Sequence, residues 1–190
     1  MMKKFFAVLF CLFVFLAGYL TVRAEEFDGT ASHWDNPKAI NVYIPPHHPY
    51  ASTIRHAFEY WDQSAGINLH FVMVSTPDQA QDEVIFVEKL DGTAVGLTQK
   101  KFQRTTYTDG TEKIKLVGMK IYIAMQDPQG KQMSRDQIYT VALHEVGHSL
   151  GLGHTQDPKS IMYPNAYKYG LMEVTRQDMI NLYNLYGWRY

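Results

Sequence analysis

Cysteine is almost missing from this chain: Cys11 is the single one among 190 residues. No framework of disulfides can therefore staple it. Charge of one sign is also missing. Eighteen Lys and Arg face 19 Asp and Glu, a formal net charge of −1, so no basic footprint points to nucleic acid. There is no internal repeat and no linker rich in Gly, Ser or Pro, which excludes collagen-like and low-complexity architectures. The N-terminal apolar run, Phe5 to Leu20, is 16 residues, short of the roughly 20 that span a hydrocarbon core. What is present is ordinary globular material: 46% hydrophobic, 14% aromatic and 19% charged residues. That is enough apolar mass for one core, and the length suits one domain.

The first 24 residues read as a leader. Lys3 and Lys4 precede the apolar run, and Val22-Arg23-Ala24 offers small residues where a signal peptidase cuts. Cleavage is expected after Ala24, with an uncleaved N-terminal anchor as the alternative. Removal of residues 1–24 takes away Cys11 and three basic residues, leaving 15 basic against 19 acidic and a net charge of −4. The mature chain, 25–190, is expected to be a secreted monomer with no stable membrane insertion, held by its core and by any bound metal.

Residues 25–38 are polar and read as loose. Ala39 to Ile44 alternates and stops at Pro45-Pro46, a strand pattern. Tyr50 to Asp62 reads as a helix, with Ile54, Ala57, Phe58 and Trp61 on its core stripe and Ser52 or Thr53 as cap. Leu69–Val74 and Val84–Val87 read as strands by their β-branched and aromatic content, and 94–98 as a short one. Thr105 to Leu116 reads as a hairpin with Asp109-Gly110 as a two-residue turn. Lys120 to Met125 is a further strand. Ser134 with Gln137 makes a capping box for a helix striped by Tyr139, Leu143, Val146 and Leu150, which Gly151 ends. Thr175 and Asp178 open a last helix striped by Met179, Leu182, Tyr183 and Tyr186, which Gly187 stops. The class is α+β.

The chemistry concentrates in one segment: His144-Glu145-Val146-Gly147-His148-Ser149-Leu150-Gly151-Leu152-Gly153-His154. On a helix His144 and His148 lie one turn apart on one face and can share a metal ion. Glu145, one residue off that axis, points past the metal toward a metal-bound water. Gly151 breaks the helix and Gly153 keeps the next turn permissive, so His154 can return as a third ligand. Three imidazoles with one open position describe a catalytic zinc site; a structural site would be closed by a fourth protein ligand. With this chain's own residue frequencies the five fixed positions arise by chance roughly twice in ten million starts. The other histidines read blandly: His47 and His48 as solvated loop between prolines, His56 and His70 as packing or surface residues, His33 in the loose N-terminal stretch.

This segment resembles the extended zinc motif of the metzincin metalloproteases. Met162, eight residues past His154 in Ser160-Ile161-Met162-Tyr163-Pro164, resembles the methionine turn beneath the zinc in that clan. Thr155 after the third histidine, and Met-Tyr-Pro, resemble the matrixins in particular. More weakly, the helix ending in Trp61-Asp62, the strand Val84–Val87, Asp91-Gly92 with Leu97, and Thr175 to Gly187 are similar to matrixin elements. The resemblance implies a zincin-like catalytic domain: a mixed twisted sheet with a long first helix, an active-site helix and a C-terminal helix. It implies one catalytic zinc on His144, His148 and His154, and Glu145 as general base. It places Met162 under the ligands and an extended protein or peptide substrate along an edge strand near Leu97 and Thr98. It also implies a specificity wall formed by Tyr163, Pro164 and Tyr167.

The chain departs from the matrixin pattern in three places. Gln99 stands where a structural-zinc histidine would fall, and the charged hairpin 102–116 replaces an acidic, glycine-rich loop, so the sequence does not support a structural zinc or calcium ions. No cysteine-switch propeptide and no C-terminal accessory domain are expected. The resulting expectation is a secreted zinc endopeptidase. The alternatives are a zinc-containing module that binds peptides without turnover, disfavoured by the intact Glu145, and an amidase of cell-wall peptides.

Overall fold

The computed structural model describes residues 33–189. The leader over 1–24, Cys11 included, lies outside the described residues. Five strands form one sheet: β1 (Ile40–Tyr43), β2 (Phe71–Met73), β3 (Asp82–Val87), β4 (Gly96–Thr106) and β5 (Glu112–Ala124). Their order is β2-β1-β3-β5-β4. All pairs are parallel except the last, so β4 is an antiparallel edge strand. The helices are α1 (Ala51–Ala65), α2 (Arg135–Ser149) and α3 (Arg176–Tyr186). The class is α+β, and no helix of the described residues is long and apolar enough to cross a membrane.

Burial explains the helices. The stripe of α1, Ile54, Ala57, Phe58 and Trp61, is wholly buried. The Trp61 indole Nε1 donates to the Leu143 carbonyl at 2.9 Å and thereby pins α1 to α2. Phe58 meets Phe71 of β2 edge to face. The Asp62 carboxylate accepts from the Phe71 N–H at 3.1 Å and contacts His70 Nδ1 at 2.9 Å, closing the α1–β2 connection. The capping boxes of α2 (Ser134, Gln137) and α3 (Thr175, Asp178) are both complete. Gly187 ends α3 in the left-handed conformation that glycine accepts at least cost.

Tertiary structure changed several local expectations. Neither Ser52 nor Thr53 caps α1; the cap position is Tyr50, without a side-chain bond. Thr53 is buried, and its hydroxyl accepts from Arg135 Nη1 at 2.7 Å instead. The short strand 94–98, the hairpin 105–116 and the strand from 120 are one long hairpin of β4 and β5, paired from Gly96↔Ile123 to Thr106↔Glu112. Its polar middle, Gln99 to Arg104, reads as a break locally, but the ladder supplies the partners that propensity does not. The loop is Thr108-Asp109-Gly110: Tyr107 N–H bonds the Thr111 carbonyl at 2.8 Å and Gly110 N–H the Tyr107 carbonyl at 3.0 Å. A three-residue loop of this kind needs the positive φ of Gly110. Residues 33 and 34 are not loose. Trp34 is 3% exposed and donates from Nε1 to the Ser149 carbonyl, and His33 packs edge-on against Tyr186. His47 is exposed as expected, whereas His48 is half-buried and stacks on Phe86 with ring centroids 3.5 Å apart.

Candidate metal centre and cleft

Helix α2 is buried on nearly every side, and His144 and Glu145 are buried with it. One turn separates His144 from His148. The chain then leaves the helix at Gly151, φ 99°, where the Leu152 N–H bonds the Gly147 carbonyl at 3.0 Å. This reversal brings His154 back. Its Nε2 stands 3.2 Å from Nε2 of His144 and 3.2 Å from Nε2 of His148.

The far side of two of these rings is held. His144 Nδ1 lies 2.6 Å from the Ile161 carbonyl and His148 Nδ1 lies 2.8 Å from the Leu152 carbonyl. A carbonyl only accepts, so each Nδ1 carries the hydrogen and each Nε2 presents a lone pair. Burial pushes His144 down to about 4 and His148 to about 3, and also lowers His154. The rings are thus neutral at neutral pH. Lone pairs facing one another at 3.2 Å repel unless a cation lies between them. Nitrogens bound at 2.0–2.1 Å to a tetrahedral zinc stand about 3.3 Å apart, so the donor set and its spacing fit that ion. His144, His148 and His154 can hold a metal.

Met162 lies against α2 at Gly147. It is buried, and Gly147 leaves it room: a Cβ there would come 2.4 Å from Met162 Sδ. The turn that carries Met162 is tied to α3. Asp178 accepts from the Ser160 hydroxyl and from the Ile161 N–H, and the Met162 N–H bonds Ser160 Oγ at 2.9 Å. The carbonyl that orients His144 therefore belongs to a turn clamped by the cap residue of another helix. In the sequence, Asp178 shows only its capping role.

The Glu145 carboxylate faces the sheet edge. Its Oε2 accepts from the Thr98 hydroxyl at 2.7 Å, and a Cβ on Gly96 would lie 2.3 Å from its Oε1. Burial raises Glu145 to about 7, against the opposing effect of the Thr98 bond.

A cleft of about 390 Å³ runs between β4 and the segment after the methionine turn. His144, Glu145, His148 and His154 open into it, and Leu97, Thr98, Pro164 and Tyr167 line it. Tyr163 does not; its ring lies 6.3 Å from that of Tyr169 outside the cleft. Gln99 is exposed on β4 opposite Lys120. Lining residues not singled out in the sequence include Val141, Ala166 and Lys100. Lys100 was detectable in principle, two residues beyond Thr98 and so on the same strand face.

A family profile described as Matrixin matches residues 40–187. Macrophage metalloelastase of Rattus norvegicus is 42% identical over 60 residues, 30% of this chain and 13% of that protein. Interstitial collagenase of Oryctolagus cuniculus is 34% identical over 71 residues, 37% and 15% of the two chains. Matrilysin of Rattus norvegicus is 48% identical over 52 residues, 26% and 19% of the two chains. The matches thus span under a fifth of these relatives' own lengths. The solved structure of myroilysin aligns at 20% identity with a TM-score of 0.40, covering 65% of this chain and 52% of that one.

Proposed function

Because the chain belongs to the matrixin family of peptidases, we propose that it is an exported zinc endopeptidase, with residues 25–190 as the catalytic domain and residues 1–24 as a cleaved leader. The observation that carries this reading is the convergence of three imidazole nitrogens beside a buried carboxylate at a free sheet edge. His144, His148 and His154 hold the ion. When bound, zinc supplies a Lewis acid that activates a water and polarises the scissile carbonyl.

The chain's own groups do the rest. Glu145 takes a proton from the attacking water and passes it to the leaving nitrogen as the peptide bond breaks. A carboxyl raised to about 7 is poised for both transfers near neutral pH. The Thr98 hydroxyl holds that carboxylate against the strand, so it does not swing away between transfers. The substrate is a protein or peptide segment that lies extended and antiparallel along the outer edge of β4, bonded through its main chain. Pro164 and Tyr167 form the opposite wall and take a substrate side chain. Met162 touches no substrate; it supports the turn whose carbonyl orients His144. One copy of the chain carries the whole set, so a monomer suffices.

The test compares wild type with Glu145→Ala on a mixed peptide library with zinc supplied, reading cut sites by mass spectrometry. Cuts by wild type, with turnover down by orders of magnitude in a variant that still binds zinc, are expected. Equal cutting by both would remove Glu145 from its role. No cutting by either, with zinc bound, would point to a binding module or to an amidase of cell-wall peptides.

A further inference from the structure

We propose that Lys100 makes this cleft select an acidic side chain on the N-terminal side of the bond that is cut. The inference rests on the endopeptidase reading above and names part of the substrate it accepts.

Strand β4 is the sheet edge, so a substrate strand adds on its free side. Side chains two apart on a strand share a face, about 6.7 Å from each other. Thr98 turns its hydroxyl to Glu145, and Lys100 follows on that same face, lining the cleft with His148. The ammonium is close enough for its field to act on the His148 ring.

No ion pair among the described residues includes it, although Asp78 and Glu83 line a second cavity that Lys100 also borders. The ion pairs there are His70–Asp62, Arg104–Glu112, Lys115–Asp35 and Lys120–Glu83. Lys100 belongs to none of them. Among the residues lining the cleft Glu145 is the one carboxylate, and it is bonded to Thr98. Lys100 is exposed in the free protein and has no counterion within ion-pair distance. A substrate carboxylate would supply one.

Strand polarity sets the side. Glu145, beside which the bond must break, touches β4 between Gly96 and Thr98. Lys100 lies further along β4 toward its C-terminus. An antiparallel peptide runs the other way, so the residues that face Lys100 come before the scissile bond.

The experiment uses peptides that differ only by Glu, Gln or Lys at each of the three positions before one cut site. Relative kcat/KM is read with the zinc-loaded protein, and Kd with its Glu145→Ala form, which holds peptide without cutting it. At one position Glu is expected to be favoured over Lys by about fivefold. Lys100→Arg keeps that ratio, Lys100→Gln removes it and Lys100→Glu inverts it. Raising salt from about 0.05 to 0.5 M shrinks it. An unchanged ratio in Lys100→Gln, or no preference at any position, overturns the proposal. Failure of wild type to cut any peptide would strike the endopeptidase reading instead, while the Kd ratios would still decide the role of Lys100.

Discussion

Two glycines facing functional side chains separate stability from activity. At Gly147 a methyl group would meet Met162 Sδ at 2.4 Å and the Trp61 ring at 3.3 Å. Both neighbours are buried, so the core must give way. Gly147→Ala is expected to cost about 1–3 kcal/mol and to lower the thermal midpoint. At Gly96 the nearest atoms a methyl would meet all belong to the Glu145 side chain, Oε1 at 2.3 Å and Cδ and Cγ at 2.7 Å. That side chain is buried, but it ends at the cleft and has the cleft to move into. Gly96→Ala is therefore expected to cost less stability than Gly147→Ala while turnover falls at least tenfold, because the moved carboxylate loses its Thr98 bond and its aim. Thermal denaturation and peptide-cleavage rates on the two variants check this split; a Gly96→Ala form as active as wild type would contradict the position given to Glu145.

Among the elements, α3 lies away from the cleft yet controls it. Its cap residue Asp178 is buried and bonds Thr175, Ser160 and Ile161 together. Asp178→Ala removes the reciprocal half of the α3 capping box, leaving Thr175 as the cap, and strands a buried hydroxyl and an N–H, at a cost of roughly 3 kcal/mol. It also frees the turn whose Ile161 carbonyl orients His144, and partners of metal ligands in other proteins change affinity by about 10–100-fold. Weaker zinc binding by competitive titration is the expected result. Asn at this position keeps the acceptor oxygen for Ser160 or Ile161 and should fall between the two. Unchanged zinc affinity in Asp178→Ala would mean that His144 holds its orientation without the clamp.

For the whole molecule, stability should respond to pH in two opposite ways once the metal is removed. His144 and His148 sit far below the ordinary 6.5, at about 4 and 3. The unfolded chain takes up protons first, so stability falls as pH drops from 6.5 through those values. Asp82 behaves in the opposite sense. It is buried at the start of β3, the nearby Ser149 hydroxyl donates to the Val146 carbonyl and leaves both carboxylate oxygens unbonded, and burial raises it from 3.8 to about 8 against the weaker opposing effect of Ser149. The folded state then keeps a proton that the unfolded chain has released, and stability declines as pH rises from about 4 to 8. Asp82→Asn should flatten the alkaline side and leave the acid side intact. Thermal midpoints of both forms with chelator, from pH 4 to 9, are the check; parallel curves would contradict a buried, protonated Asp82.

Much of this protein is written locally. The helix faces follow from apolar spacing, two helix starts from their capping boxes, and the three histidines that can hold a metal from a five-residue pattern set by one helical turn and one glycine stop. Those features depend on neighbours within about ten residues, which a sequence displays directly. The merger of three short β patterns into β4 and β5 depended on strand partners up to 27 positions apart. The clamp of Asp178 on Ser160, the burial of Trp34 under Ser149, the stacking of His48 on Phe86 and the turning of Tyr163 out of the cleft also depended on such contacts. The sequence by itself determined which side chains are able to hold an ion. Only the tertiary structure decided which carbonyls orient them, which strand edge faces Glu145, and that Lys100 stands beside them unpaired, because each of those contacts joins segments that only packing brings together.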